Sequence, residues 1–556
     1  MRENYWTTRI SRRRLVQGAA VSSAGGLVIL AGACGSDDTA TPGGTASPAA
    51  GTAAPQSSAT AAPKRGGSLS SSENVDPNSL DIHQDPNVFP QLGSIYSKIL
   101  RQVKGGLAPD LAVSIPETPD ERTIVVKVRQ GVRFHDIAPV NGRELTAEDV
   151  KYSLDRINTD DPKFQSRRFI SQIERIEATD ANTLRLSLAT PFAPLVTYLA
   201  FPTMVVVARE AVEVNGDLRR GPLIGTGPFQ SAEIQAGVRY VNKRFENYFE
   251  QGKPYLDDFT LRIIPERGTA IAQFRSGDLS YISAATPDEL SQAKSSVPKL
   301  GSEKGLRTRL RSAMNTQTGL FKDPRVRKAV HLATDRAEMI TLMSGGEGEA
   351  YSVLPSFFPG VLKEADLAGK PGFRKDKAED IAEAKRLLEA AGHANGLDVP
   401  SYLSLQLNTV PDAVTIHAQQ LARAGIRATI KPIAYADWTD RMLKHDFEIA
   451  GGVTSMRLDP DDHFYTEYHS KGPRNDGHLQ DADIDALIEK QRAIFDEQER
   501  QKIWRELEEK MLDALPFVPF FNAATYVTWQ PGIEGLTADG GRMSYMGHTF
   551  SDVSMG

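Results

Sequence analysis

Apolar and polar residues alternate along two short segments of the chain. Residues 123–128 read TIVVKV, and in residues 183–188 (TLRLSL) the side chains of Leu184, Leu186 and Leu188 fall on one face. Successive side chains of a β-strand point to opposite faces of a sheet, so a period of two predicts strands with one buried face.

Between and beyond these segments, apolar residues recur at the 3.6-residue spacing of an α-helix. Thr146 and Asp149 have the spacing of a capping box, and apolar residues at helical spacing follow them. Asp323 followed by Pro324 marks a second helix start, because the N–H that proline lacks would have no partner in a first turn. The chain is therefore predicted to mix helices and strands.

The clearest unit lies at residues 401–433, where an alternating strand, an amphipathic helix ended by Gly425 and a second apolar strand follow one another. A helix at 377–391 precedes this unit, and helices at 484–494 and 503–511 follow it. Strands joined by crossover helices imply an α/β fold with an open sheet, whose ligands bind at the carboxyl ends of the strands.

Residues 1–33 have the layout of an export signal. Arg12 and Arg13 stand directly before a weakly apolar stretch, residues 18–33, which is rich in Gly, Ala and Ser. That stretch is too short and too weakly apolar to span a ~30 Å hydrocarbon core well. We expect a twin-arginine signal that is removed on export; a permanent membrane anchor is the alternative.

The signal ends at Cys34, the only cysteine in the chain. The small residues 31–33 before it resemble a lipobox, although Leu30 lies one residue earlier than the usual leucine. We expect Cys34 to carry the lipid anchor of the mature protein, although a lone cysteine is often a buried small hydrophobe. Residues 34–65 lack any large apolar side chain and are predicted to form a disordered tether.

Charge and cysteine content exclude several classes of protein. Residues 1–33 hold five basic residues and one acidic residue, so the mature chain keeps 60 basic and 70 acidic residues, a net charge of −10. That balance argues against a nucleic-acid surface. With one cysteine, neither an internal disulfide nor a cysteine-based metal site is available.

The chain contains no Walker A loop, no G-x-S-x-G elbow and no H-E-x-x-H motif. Gly225 and Gly227 resemble half of a dinucleotide loop, but Pro228 breaks the pattern. We expect these two glycines to serve as a turn or hinge pair. No catalytic residues and no cofactor are therefore predicted.

Acidic residues and histidines cluster between residues 459 and 485. His463 and His469 are six residues apart, a spacing that gives no local chelate. Residues 481–485 begin like a calcium loop, but Ala486 and Arg492 replace the glycine and the bidentate glutamate that such a loop needs. We predict no metal site and expect residues 481–485 to form the acidic start of a helix.

Several short blocks occur in a fixed order along the chain. They are 107–112 (LAPDLA), 131–136 (GVRFHD), 145–154 (LTAEDVKYSL), 224–229 (IGTGPF), 254–257 (PYLD), 323–329 (DPRVRKA) and 384–392 (AKRLLEAAG). In this order they resemble the family 5 solute-binding proteins, the peptide- and nickel-binding group of ABC importers. One departure is Ile137, which begins a longer loop where a glycine is usual.

The resemblance implies a periplasmic-binding-protein-like fold of two lobes with a hinge and an extra inserted α/β domain. The divisions that it implies are lobe I at 66–96, 222–313 and 512–556, the inserted domain at 97–221, and lobe II at 314–511. The chain would cross between the lobes near Met314 and Met511, and ligand would be enclosed by hinge closure.

The resemblance also implies ligand-contacting positions, which are His83, Asn315, Met456, Arg457 and Asp459. In peptide-binding relatives, an acid that captures the peptide's amino terminus lies shortly before the segment that matches Asp459. The corresponding stretch here is TSMRL, which has no acid and contains Arg457.

Two interpretations of Arg457 follow. If it faces a closed cleft, this desolvated cation needs an anionic or multiply accepting ligand group. The alternative is that Arg457 pairs with Asp459 or Asp461 and never meets ligand.

The expected function is that of an extracytoplasmic, lipid-anchored, monomeric binding protein. It would capture a small solute and deliver it to the permease subunits of an ABC importer. A modified peptide, an oligosaccharide, an opine-like compound and a metal chelate all stay open as solutes. A ligand-binding sensor subunit and a secreted hydrolase are the alternative functions.

Overall fold

The computed structural model describes residues 63–77, 79–84, 90–103, 106–407, 409–455, 457–537 and 550–556. The predicted export residues Arg12 and Arg13, the predicted lipidation site Cys34 and the predicted ligand contact Met456 lie outside these ranges. Among the residues that the structure describes, no helix combines the length and the apolar character needed to cross a bilayer.

The described strands are, in chain order, β1 (Ser68–Glu73), β2 (Leu100–Val103), β3 (Gly106–Pro109), β4 (Glu117–Asp120), β5 (Thr123–Lys127), β6 (Ile173–Asp180), β7 (Thr183–Leu188), β8 (Phe229–Gln235), β9 (Arg239–Arg244), β10 (Asp258–Ile263), β11 (Tyr281–Ala285), β12 (Gly301–Met314), β13 (Leu397–Leu405), β14 (Ile426–Ile433), β15 (Ile449–Ser455), β16 (Phe517–Trp529), β17 (Ile533–Glu534) and β18 (Ser554–Met555).

The described α-helices are α1 (Pro90–Ile95), α2 (Ala147–Ile157), α3 (Leu195–Tyr198), α4 (Arg209–Glu213), α5 (Arg267–Ser276), α6 (Pro287–Ser296), α7 (Pro324–Ala333), α8 (Arg336–Ser344), α9 (Glu364–Leu367), α10 (Ala378–Ala390), α11 (Val410–Arg423), α12 (Tyr435–Lys444), α13 (Pro460–Tyr468), α14 (Ala482–Arg492) and α15 (Glu497–Ala514). Single 3₁₀ turns occupy Gln165–Phe169 and Leu320–Lys322.

The first hydrophobic core is built from the N-terminal half of the described chain together with its C-terminal end. It contains two four-stranded sheets, in the orders β1-β10-β9-β8 and β4-β5-β7-β6. Strands β5 and β7 are antiparallel and place Ile124 opposite Leu186 and Val126 opposite Leu184, all fully buried. The alternating pattern therefore predicted both strands and their buried face.

A six-stranded sheet has the order β11-β16-β12-β15-β13-β14. A second core packs against its β15, β13 and β14 end, and a smaller third cluster lies around β11. Strand β13 runs parallel to β14 and to β15, and α11 connects β13 to β14 while burying Val414 and Leu421. This confirms the predicted strand–helix–strand unit. The predicted helices before and after it are α10, α14 and α15.

Helix starts follow the predicted capping residues. The Asp149 carboxylate accepts a hydrogen bond from the backbone N of Thr146 at 2.9 Å, and Asp323 accepts one from the backbone N of Arg325 at 2.8 Å. These contacts satisfy N–H groups that have no partner within a helix. Helix α14 likewise begins with Asp481 accepting from the backbone N of Asp483, which agrees with the helical interpretation of the acidic run.

The long strands β12 and β16 connect the two ends of the six-stranded sheet. Residues 301–306 of β12 pair with 524–529 of β16 beside β11, whereas the half of β12 that ends at Met314 also pairs with β15. The β12–β16 register shifts twice along this length. Such irregularities bend strands and interrupt pairing locally. Helix α15 continues past Met511 to Ala514 before β16 begins.

Gly225 and Gly227 owe their identity to a close approach of two backbone segments. A Cβ at Gly225 would lie 2.2 Å from the carbonyl oxygen of Ile95, and one at Gly227 would lie 2.5 Å from that of Ser94. Neither glycine adopts a left-handed φ. Glycine is therefore required at these two positions for lack of space, and not for the turn or hinge that the sequence predicts.

Replacing Gly225 with Ala should destabilise the protein by about 1–3 kcal/mol, the usual cost of forcing extra volume into a packed site. The clash is with a carbonyl group, which cannot move aside as a flexible side chain can. Gly268→Ala is the matched control, because Gly268 lies in α5, has no atom within 4 Å of its Cβ position and should gain helix propensity. Urea unfolding of both variants measures the difference; equal stabilities would contradict the steric explanation.

Candidate functional site

A cavity of about 710 Å³ lies between residues of the first core region and residues of the second. Its lining on the first side includes Val103, Leu107, Ile115, Ala193, Val196 and Thr197, and on the second side Phe357, Phe358, Leu458, Asp459, Ile494, Phe495, Glu497, Arg500 and Trp504. Both the volume and the mainly apolar lining with a few charged groups are typical of small-molecule sites.

The start of α13 forms one wall of this cavity. Asp459 is the N-cap of the helix and accepts a hydrogen bond from the backbone N of Asp461 at 2.8 Å, while Pro460 occupies the first helical position. Asp461 and Asp462 follow in the first turn, where the helix dipole favours negative charge. The local sequence therefore determines where α13 begins and which carboxylates lie at its N-terminus.

Asp459 lines the cavity and is also held by a buried ion pair. The guanidinium of Arg500 donates to the two Asp459 carboxylate oxygens at 2.5 and 3.1 Å, and its Nε donates to Gln491 at 2.9 Å. Both charged side chains are almost fully buried. Asp459 thus ties α13 to α15, and its direct contact with ligand stays a prediction.

Arg457 forms ion pairs with carboxylates of α13. Its guanidinium lies 3.0 Å from Asp462 and 3.5 Å from Glu467. Burial disfavours the charged form, but these two carboxylates outweigh it and raise the pKa of Arg457 above its ordinary value. The structure therefore agrees with the pairing interpretation but corrects the partners, which are not Asp459 and Asp461. A ligand contact for Arg457 stays a prediction.

Glu467 is the centre of a buried charge cluster. Arg309 donates to both of its carboxylate oxygens at 3.0 Å, Arg311 donates at 2.7 Å and Thr454 at 2.9 Å. Burial favours the protonated acid, yet Arg309 and Arg311 hold the pKa of Glu467 well below its usual range. Since Arg309 and Arg311 belong to β12 and Thr454 to β15, this carboxylate links α13 to both strands.

His463 adds a neutral acceptor to the same cluster. Desolvation and the nearby Arg309 lower the pKa of His463 to about 3, so its ring is uncharged at neutral pH. Its Nδ1 can therefore accept the hydrogen bond that Arg309 donates at 2.8 Å. The side chain is fully buried and meets Phe358, a cavity residue, edge to face.

The predicted ligand contact His83 lies in the first core, with 1% of its surface exposed. Its Nδ1 accepts a hydrogen bond from Arg156 at 2.9 Å, so its Nε2 donates to the carbonyl oxygen of Val205 at 3.0 Å. Desolvation, reinforced by Arg156, lowers the pKa of His83 to about 4. Both ring nitrogens are thus used within the protein, and a ligand role for His83 stays a prediction.

Asn315 follows the end of β12 and is fully buried. Its amide nitrogen donates to the carbonyl oxygens of His445 and Phe447, and its side-chain oxygen accepts from the backbone N of Gln317. The structure therefore brings Arg457 and Asp459 together at α13, whereas His83 and Asn315 have separate surroundings. For Asn315, too, the ligand contact stays a prediction.

Sequence reasoning missed the residues that face α13 from the first core region. Tyr198 donates to the Asp461 carboxylate at 3.3 Å, and Phe169 packs on the Tyr198 ring at 4.8 Å. Desolvation lowers the pKa of Arg168, the residue before Phe169; the charge of Asp462 partly offsets this effect and that of Arg457 adds to it. No local spacing signals these contacts, because the partners are separated by more than 260 residues in the case of Tyr198 and Asp461.

Within the described part of the chain, no group of three or more His, Cys, Asp or Glu side chains is arranged to hold a metal ion. His463 and His469 do not form such a group.

Comparison with known proteins gives the family. A family model described as "Bacterial extracellular solute-binding proteins, family 5 Middle" matches residues 106–476. A glutathione-binding protein GsiB from Salmonella typhi is 26% identical over 446 residues, covering 75% of this chain and 80% of the relative. These matches confirm the resemblance inferred from the ordered sequence blocks.

Solved structures give the fold. The periplasmic binding protein DppA from Helicobacter pylori, in complex with the peptide STSA, has a TM-score of 0.71 and 23% identity over 88% of this chain and 98% of its own. The substrate-binding protein CtaP from Listeria monocytogenes has a TM-score of 0.76 and 23% identity over 88% of this chain and 100% of its own. The predicted two-lobed periplasmic-binding-protein fold is thereby confirmed.

Glu467→Gln should destabilise the protein by about 3–5 kcal/mol, because it leaves buried arginines without their counter-charge. Asp398→Asn is the control, since it breaks an ion pair with Arg427 in which both side chains are exposed, and its melting temperature should stay near wild type. Thermal and urea unfolding measure both variants. A Glu467→Gln protein as stable as the control would show that the cluster does not hold α13 in place.

Proposed function

The chain belongs to family 5 of the bacterial extracellular solute-binding proteins, and from this premise we propose that it is the lipid-anchored substrate-binding component of an ABC importer. The observation that supports solute capture most directly is the 710 Å³ cavity lined from both core regions. A site shared by two regions becomes complete only when they approach each other, as in hinge closure around a ligand.

The proposed division of the chain follows the sequence. Lobe I comprises 66–96, 222–313 and 512–556, the inserted domain 97–221, and lobe II 314–511. The end of β12 at Met314 and the register shifts along β12 and β16 support a hinge at this strand pair. Closure would move α13 and α15 toward the residues of the inserted domain that line the cavity.

The proposed solute is a short peptide or a peptide derivative. The support is that a curated relative is a glutathione-binding protein and a structural neighbour holds a peptide. Residues 454–458 (TSMRL), where peptide-binding relatives would have an acid for a free amine, contain none. The solute would therefore be held through its backbone, its apolar parts and its carboxylates.

The proposed location is the outer face of the cell membrane. Arg12 and Arg13 would direct export, Cys34 would carry the lipid, and residues 34–65 would tether the folded part within reach of the permease. A flexible segment of this length has an r.m.s. reach of roughly 30 Å. Capture and delivery would then need no further partner than the membrane subunits of the importer.

Binding of a peptide solute should stabilise the protein and close its lobes. At a thousand times its dissociation constant, a ligand that binds only the native state adds about 4 kcal/mol to the free energy of unfolding. The melting midpoint should rise by a few degrees and the radius of gyration from small-angle scattering should fall, with intact solute recovered afterwards. A bound ligand that leaves the radius of gyration unchanged would contradict closure, and turnover of the ligand would indicate an enzyme.

Cys34→Ser should release the protein from the membrane fraction or stall its processing, because serine cannot form the thioether that carries the lipid. In the wild-type protein, mass spectrometry of the N-terminal peptide should find a diacylglyceryl cysteine and nothing from residues 1–33. A mature chain that starts elsewhere, with an unmodified thiol at Cys34, would overturn the anchoring proposal.

A further inference from the structure

The segment between α8 and α9 carries an aromatic wall of the cavity. Phe357, Phe358 and Pro359 line the cavity, and the two phenylalanine rings pack with 4.4 Å between their centroids. Residues 351–363 contain neither helix nor strand, so the rings are not held by a backbone ladder of their own. We call residues 352–362 the wall loop; its position has to come from contacts with neighbouring elements.

A single carboxylate of α15 holds both ends of the wall loop. Glu508 Oε1 accepts hydrogen bonds from the Ser352 hydroxyl at 2.5 Å and from the backbone N of Leu354 at 3.2 Å. Its Oε2 accepts one from the backbone N of Leu362 at 2.7 Å. The side chain is fully buried. The two oxygens of Glu508 therefore close the loop that carries the aromatic rings.

Glu508 has no counter-charge among the described residues. The nearby ammonium of Lys363 donates instead to carbonyl oxygens of the loop, including that of Phe358 at 2.6 Å. Desolvation raises the pKa of Glu508 to about 7, and the hydrogen bonds from the loop oppose that shift. A buried polar group costs free energy unless its partners stay in place. The burial of Glu508 and the closed shape of the wall loop therefore depend on each other.

The cavity beside the wall loop is mainly apolar. Of its charged lining residues, Asp459 and Arg500 pair with each other, and Glu497 is exposed at the start of α15. A group that packs on Phe357 and Phe358 gains free energy in proportion to the apolar area it buries. The cavity therefore favours apolar parts of a solute, and the position of the two rings decides how well they fit.

We propose that this cavity is a subsite for large apolar side chains of the peptide solute, and that Glu508 is the positioning residue for its aromatic wall. Glu508 is not among the lining residues and acts through the wall loop. Glutamine at this position has one acceptor oxygen, and its NH₂ group would face a backbone N–H that needs an acceptor. One end of the loop would then lose its hold on α15. This proposal rests on the proposed peptide function and names the part of the solute that the subsite selects.

The probes are trialanine and the tripeptide Ala-Phe-Ala, titrated by calorimetry. Wild type should bind Ala-Phe-Ala about thirtyfold more tightly, because the phenyl ring buries apolar area that a methyl group lacks. Glu508→Gln should lose most of this preference and keep its affinity for trialanine. The matched control is Glu509→Gln, since Glu509 is the next residue of α15 and is exposed; it should keep both affinities. Ser352→Ala, which removes one donor and leaves the two backbone N–H groups, should reduce the preference less.

Hydrogen exchange followed by mass spectrometry reports on the wall loop without any solute. Segments within 352–362 should exchange faster in Glu508→Gln than in wild type and in Glu509→Gln. Unchanged exchange, an unchanged preference, or equal losses of affinity for both peptides would overturn the positioning role. Equal binding of the two peptides by wild type would overturn the apolar subsite. Binding of neither peptide by wild type would overturn the proposed peptide function together with the subsite.

Discussion

The buried carboxylate of Glu467 is the interaction on which the candidate site depends. Two arginines of β12 converge on it, and a third, Arg457, approaches it from the segment before α13. Burying these charges is costly, and it is tolerated because each guanidinium finds a carboxylate in good geometry. Removing any one member of the cluster would leave a buried charge without its partner, so the position of α13 is coupled to that of β12.

The position of α13 also determines which hydrogen bonds its carboxylates form around the cavity. With the helix start set, Asp459 reaches Arg500 of α15, and Asp461 reaches Gln491 of α14 at 2.6 Å and Tyr198 of the first core region. Desolvation raises the pKa of Asp461 to about 6, a consequence of its complete burial at this junction. The carboxylates of Asp459 and Asp461 are thus both hydrogen-bonded within the protein, and most of the residues that line the cavity are apolar.

Elements that depend on near neighbours were predictable, and pairs that depend on the folded chain were not. Strands β5 and β7 and the helix caps at Thr146 and Asp323 depend on residues that are close in the sequence. The sequence pattern therefore predicts them, and the structure contains them. Arg309 and Glu467 are 158 residues apart, so no local sequence pattern predicts their contact. The acids that pair with Arg457 are not predictable from the sequence for a related reason. Once Asp459 caps α13, its carboxylate accepts from a helix N–H group and from Arg500 and does not pair with Arg457.

Buried and solvent-exposed arginines differ in what they can offer to a ligand. A fully buried cation must be neutralised within the protein, and Arg309, Arg311, Arg457 and Arg500 each have a carboxylate at hand. A buried arginine that is already paired with a carboxylate can bind a ligand anion only if that ion pair is broken. A cation at the edge of a cleft can stay unpaired while water solvates it, and it then gains most from an anion that arrives as the water leaves. Selectivity for charge in a closing cleft therefore belongs to the least satisfied cation and not to the most deeply buried one.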